Sequence, residues 1–154
     1  MSVVISALVL GVVCGLRSMV GLAAASWAAN RQQIPLEGTW LSFLGFRFTP
    51  YITSLLAVGE VINDKLPKTP SRLVPSQFGG RVVMGALTGS AIGLSQGHLI
   101  IGALSGIIGS VVGTLAGAKA RAFVAKLFGR DLPAALLEDI LAVALAIVAI
   151  VILR

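Results

Sequence analysis

From Leu132 to Leu153 the chain runs through one apolar stretch whose only ionisable side chains, Glu138 and Asp139, sit near its start. About 20 mostly apolar residues suffice to cross a hydrocarbon core roughly 30 Å thick. A run of that length in a chain of 154 residues leaves few folds open. Four more apolar segments precede it, at about 3–29, 50–64, 80–95 and 98–118. Charged residues make up 12% of the chain, against about 25% in a soluble domain, and mean hydropathy is +0.97. The expectation is an all-α, polytopic membrane protein: one integral domain over residues 1–154, with five transmembrane helices. Asp131 is placed to cap the last helix and Pro133 falls in its first turn. The stretch LEGTWLSFLGFRFTP, at about 36–49, is too short and too aromatic for a span and reads as interfacial or re-entrant. No Lys or Arg occurs in the first 14 residues and the apolar run continues past Cys14, so the first segment reads as a retained helix rather than a signal peptide.

Charge then orients the chain. Five spans from a cytoplasmic N-terminus put Lys65, Lys68, Arg72, Arg81, Lys119, Arg121, Lys126 and Arg130 on one side and Arg31, Arg47 and Arg154 on the other. Cytoplasmic loops carry the excess of Lys and Arg. The expected location is a bacterial inner membrane, with the N-terminus cytoplasmic and the C-terminus outside. Trp27, Trp40, Phe43, Phe46, Phe48 and Tyr51 fall at the outer boundary, where an aromatic belt belongs. The net charge of +6 is thereby explained by orientation, and no nucleic-acid partner is expected.

Ionisable residues inside apolar helices are costly and normally face a bundle interior or a water-filled cavity, where they pair. Arg17 lies about 21 Å into the first segment at 1.5 Å per residue, past the middle of the core. Glu60 and Asp64 stand at i and i+4 on one helix face, a spacing that suits a cation or a shared proton. Glu138 and Asp139 lie two turns into the last helix, and Arg81 opens the third. Glu60, Asp64, Arg81, Glu138 and Asp139 are therefore expected to line one cytoplasm-facing vestibule, with a static charge-neutral network as the plainer alternative. GLRSMVG (15–21) and GGRVVMG (79–85) share a G-x-R-x-x-[VM]-G pattern, and each is followed by an acid-bearing helix. A weak internal repeat is the expectation, parallel unless the first helix breaks near Gly15.

Gly85, Gly89 and Gly93 recur at i+4, and Gly102, Gly106, Gly109, Gly113 and Gly117 keep to one face of the next helix. Small residues let helix backbones approach closely in lipid. With only SQG between them, these helices read as a tight hairpin, one of whose stripes could serve a homo-oligomer, a dimer first of all. Catalysis finds no support. His98 is the only histidine, so a membrane-phosphatase reading of Lys65 and Arg72, at K-x6-R spacing, lacks its second histidine. A single cysteine cannot build a cysteine-based metal site, and no cofactor motif or phosphate loop occurs.

The run GEVINDKLPKTPSRLVPSQFGGRVVMGAL, together with CGLRSMVGLA, resembles a family of small bacterial integral membrane proteins catalogued as domain of unknown function 4126. The resemblance covers nearly the whole chain and is most specific over D-K-x-P-x-T-P-S-R. It implies a small membrane protein and no particular activity. The family's recurrent positions, as they stand here, are Gly15, Arg17, Glu60, Asp64, Lys65, Pro67, Thr69, Pro70, Ser71, Arg72 and Arg81. The residues themselves suggest a small transporter or channel-like protein. Arg17, Arg81, Glu60, Asp64, Lys65, Thr69, Ser71 and Arg72 would hold a small anionic solute, and Glu138 and Asp139 would serve as ion-pair or coupling groups. The alternative is a non-transporting scaffold whose basic loop binds anionic lipid or a protein partner.

Overall fold

A computed structural model describes residues 2–66 and 70–153. Among them the chain forms six helices: α1 (Ser2–Leu16), α2 (Ser18–Asn30), α3 (Thr49–Asn63), α4 (Pro75–Ser95), α5 (Leu99–Phe128) and α6 (Asp131–Ile152), with a short 3-10 turn at Ser42–Gly45 and no strand. The one apolar segment expected over 3–29 is two helices. Arg17 is extended, at φ −141 and ψ 102, and α2 folds back along α1 so that Gly21 lies against Cys14 and Leu10. This overturns the expected topology at its start. The chain begins at the same end of the bundle at which it finishes, not at the opposite end.

The glycines set the packing. A Cβ on Gly106 would lie 2.0 Å from the Gly85 carbonyl oxygen, and one on Gly89 2.3 Å from that of Gly102. No side chain fits there, so α4 and α5 meet backbone to backbone. On its other side α5 meets α1: Gly109 backs onto Leu8 and Gly113 onto Val12, so these two helices run in parallel. The glycine stripes are thus consumed inside one chain and are not free to join two copies. α3 runs antiparallel to α2, with Glu60 at Ser18 and Ser54 at Trp27. α6 closes the bundle, bringing Asp139 to Arg17 while Ile150 packs beside the cluster that holds Ala28. Successive helices therefore alternate in direction. The repeat does not survive this arrangement. The Arg17 and Arg81 helices run the same way, but the acid-bearing α3 and α6 run in opposite ways.

Two ends result. The aromatic end holds residues 31–48 and the turn at 96–98, with Ile34, Leu36, Leu41 and Leu44 buried against Ala28, Ala29 and Ala91. Ser26 donates to the Leu44 carbonyl at 2.6 Å, so this segment caps the end of α2. Trp40, Phe46, Phe48 and Tyr51 stay exposed around it. Phe123 and Phe128 are exposed at the opposite, charged end. That end is longer than expected, because α5 continues past residue 118 to Phe128. It stops at Gly129, whose φ of 68 supplies the left-handed residue that ends many helices. α4 starts early, with Pro75 as its first residue. Asp131 proves to be the first residue of α6, and Arg130 takes the capping position.

Two helices, α5 and α6, are long and apolar enough to cross a membrane. Their most apolar stretches are only 39% and 28% buried, unlike the core helix of a soluble protein. Ile100, Leu104, Ile108 and Val112 on α5, and Ile140, Ile147 and Val151 on α6, point outward.

Candidate functional site

The break at Arg17 leaves two helix ends inside the protein. The last carbonyls of a helix carry partial negative charge and the first N–H groups partial positive charge, and both need partners. Arg81 supplies the first need: its Nη1 donates to the carbonyls of Gly15 at 3.0 Å and Leu16 at 2.7 Å. Thr114 adds a hydroxyl donor to Gly15 at 3.3 Å. Glu60 supplies the second. Its carboxylate accepts from the Ser18 N–H at 3.0 Å, the Ser18 hydroxyl at 2.8 Å and the Met19 N–H at 2.8 Å. The two caps are themselves an ion pair, 3.9 Å apart.

Arg17 turns away from both helix ends into a cluster of charge, and its side chain is 0% exposed. Its Nε donates to Asp139 at 2.7 Å, and its Nη1 lies 2.7 Å from Asp64. Each of these carboxylates also serves a second cation. Lys65 donates to Asp139 at 2.6 Å, and Arg121 pairs with Asp64. Arg121 also forks onto Asp131, with donors at 2.9 and 2.6 Å. Arg72 makes a bidentate pair with Glu138, its Nη2 at 2.8 Å from Oε2, in a space left by Gly117. Arg121 approaches the same Glu138 to 3.6 Å. Five cations thus meet five of the chain's six carboxylates, and the cluster is formally neutral. Asp64 lies just past α3. Burial pushes its carboxyl up, but the hydrogen bond from Arg121 and the charge of Arg17 outweigh that and hold it below the ordinary 3.8.

A cleft of about 550 Å³ opens at this end, lined by Asp64, Lys65, Ser71, Arg72, Arg121 and Asp131 among others. Arg17 stands behind Asp64 and does not line it. Nη2 of Arg17 and Nε of Arg81 are buried with no hydrogen-bond partner among the described residues. Three of the carboxylates, Asp64, Asp139 and Glu138, each lie between two cations. An anion that took the place of Asp64 on Arg121, or of Glu138 on Arg72, would leave that carboxylate its second cation.

Arg17, Glu60, Asp64, Lys65, Arg72, Arg81, Glu138 and Asp139 fall in one charge cluster, but of the five residues expected to line a vestibule only Asp64 lines this cleft. Ser71 lines the cleft and accepts a local bond from the Leu73 N–H at 3.3 Å. Thr69 lies outside the described residues, as do Pro67 and Lys68. Sequence reasoning missed Arg121 and Asp131 as members, counting Arg121 only as a loop charge. A signal existed: no glycine or proline interrupts the chain between Ala118 and Gly129, so the helix had no reason to stop before Arg121. Comparison with protein-family models, with curated proteins and with solved structures finds no match to this chain.

Proposed function

We propose that this chain is a multi-pass protein of a bacterial inner membrane that carries a small anionic solute, entering through the cleft at the charged end. The membrane reading is supported by the outward apolar faces of α5 and α6 and by exposed aromatic residues at both ends, as two interfacial belts require. Lys65, Arg72, Arg81, Lys119, Arg121, Lys126 and Arg130 lie toward the charged end, against Arg31 and Arg47 at the other. The charged end is then cytoplasmic, and residues 2 and 153 lie toward the outside. The resemblance to domain of unknown function 4126 likewise implies a small membrane protein, and its recurrent positions among the described residues mostly lie in or beside the cluster.

One observation carries the transport reading: the helix interrupted at Arg17, whose two ends are held by ionisable side chains beneath an open polar cleft. Interrupted helices in membrane transporters hold substrate and coupling ions at such ends. Here Glu60 occupies the amino-terminal site that a substrate carboxylate would take. An incoming anion would pair with Arg121 or Arg72, and the displaced Asp64 or Glu138 would keep its second cation, Arg17 or Arg121. The test is charge movement across proteoliposomes on solid-supported membranes, offered inorganic phosphate and a series of small mono- and dicarboxylates. A saturable current that Arg121→Ala abolishes is expected. Silence toward the whole series, from protein that remains folded, would sink the transport reading.

A second reading has one observation in its favour. Arg17 is fully buried, held by two carboxylates, and lines no part of the cleft. A static, neutral strut of this kind suits a scaffold whose basic end binds anionic lipid or a protein partner.

A further inference from the structure

A second cavity lies at the opposite end of the molecule. It is a groove of about 360 Å³ between α2 and α6, a size within the roughly 300–1,000 Å³ of ligand clefts. Its floor is apolar and made by small residues. Ala24, Ala28 and Ala146 leave a valley, and Val20, Val143 and Ile147 form its walls. Nine residues of α6, from Val143 to Val151, run along it for about 12 Å. Its mouth is different in kind. Arg31 sits there, exposed, with its guanidinium 5.2 Å from the centre of the Trp27 ring. No carboxylate pairs with Arg31 among the described residues, whereas every arginine of the opposite cluster has one.

We propose that this groove is a binding site for one anionic glycerophospholipid of the outer leaflet, with an acyl chain in the alanine valley and the phosphodiester on Arg31. The inference rests on the membrane reading above. Charge complementarity selects the occupant. An apolar trough the length of an acyl segment ends at an arginine that pairs with no carboxylate among the described residues and is held on an aromatic ring, at the level where the exposed aromatic residues of that end cluster. A cation over an indole face is stabilised electrostatically and held in place. A neutral solute would leave Arg31 without its counter-charge, and a free anion would leave the valley without an occupant.

Native mass spectrometry of purified protein in detergent, titrated with an equal mixture of phosphatidylglycerol and phosphatidylcholine, tests this directly. Wild type retains one tightly bound lipid per chain, with phosphatidylglycerol preferred. Arg31→Ala lowers the affinity for phosphatidylglycerol about fivefold, the worth of one arginine at a charged lipid surface, and leaves phosphatidylcholine unchanged. Ala24→Phe fills the valley and removes the binding of both. Arg31 is exposed and Ala24 only half-buried, so folding should survive either change, and thermal unfolding of each variant checks this. Preference for phosphatidylglycerol that persists in Arg31→Ala, or lipid retained by folded Ala24→Phe, would overturn the inference and leave only annular lipid. Protein that stays monodisperse in buffer without detergent would instead overturn the membrane reading on which the inference rests.

Discussion

Arg81 and Glu60 lie 3.9 Å apart and close the two ends of one broken helix, the arginine on the carbonyls of α1 and the glutamate on the amides of α2. Each charge faces the helix end of opposite sign. Glu60→Ala leaves the first amides of α2 without acceptors. It should lower stability by about 1–2 kcal/mol, the worth of a strong amino-terminal cap in a partly buried setting. Glu60→Gln keeps an acceptor oxygen and should recover much of this. Thermal unfolding in detergent, followed by circular dichroism, compares the three proteins. Equal stability of all three would mean that water caps α2 just as well.

The Arg72–Glu138 pair is buried on both sides, at 7% and 6% side-chain exposure. Removing one partner leaves an uncompensated buried charge, at a cost of about 3–5 kcal/mol. Arg72→Leu and Glu138→Leu should each be strongly destabilising. The double variant should recover most of the loss, because two apolar side chains do not need one another. A double-mutant cycle on unfolding midpoints reads the coupling. Additive single effects would mean that the pair contributes nothing as a pair.

Asp64 titrates below its ordinary 3.8 because Arg121 and Arg17 favour its charged form over the burial that opposes it. A depressed carboxyl contributes stability that is fully present above the unfolded value and is lost as pH falls through the folded one. The cluster should therefore hold from neutrality down to about pH 4 and weaken below it. Asp64→Asn should flatten that acid limb of a stability-against-pH curve. An acid limb unchanged in the variant would assign the loss to other carboxylates.

Glycine positions separate into two kinds. A Cβ on Gly106 would stand 2.0 Å from a backbone carbonyl, whereas one on Gly59 meets nothing within 4 Å. Gly106→Ala should cost at least about 1–3 kcal/mol, as overpacking does, because backbone cannot step aside. Gly59→Ala, in α3, should be neutral or stabilising by up to about 1 kcal/mol through helix propensity. Unfolding midpoints of the two variants should move in opposite directions or, at the least, differ clearly.

The fold back at Arg17 puts both ends of the chain on one side. Single cysteines at Ser2 and Leu153 should react with an impermeant thiol reagent from the same face of the membrane, and a cysteine at Arg130 from the other. Cys14 is fully buried and adds little background. Labelling of residues 2 and 153 from opposite faces would restore a continuous first helix.

Much of this was legible in the residues. The apolar runs marked most of the helices, and the charged residues inside or beside them marked the cluster. α3 at Thr49–Asn63 and α6 at Asp131–Ile152 fall within a residue of their expected bounds. The break at Arg17 was legible only as an alternative near Gly15, and the reason it could not be expected outright is physical. Nothing local distinguishes GLRSM from helix interior, since neither proline nor an Asn-Gly pair marks a turn there. The turn is specified by groups far along the chain, Arg81, Glu60 and Asp139, each of which satisfies something that the break exposes. The glycine stripes read correctly as a tight α4–α5 hairpin, but spacing alone could not show that α1 takes the other side of α5 and leaves no stripe for a second copy.

Arg17 also sets a problem of timing. It is made early, yet the carboxylate that receives its Nε is separated from it by 122 positions, and the helix on which α1 rests begins at Leu99. As the chain leaves the ribosome, the first hairpin has neither its counter-charge nor its seat. It must stay near water, or be sheltered by the insertion machinery, until Asp64 arrives and then until α5 and α6 are complete. Assembly of this small protein is therefore a late event, and a chain truncated before residue 139 would hold Arg17 by Asp64 alone, with its Nε unpaired.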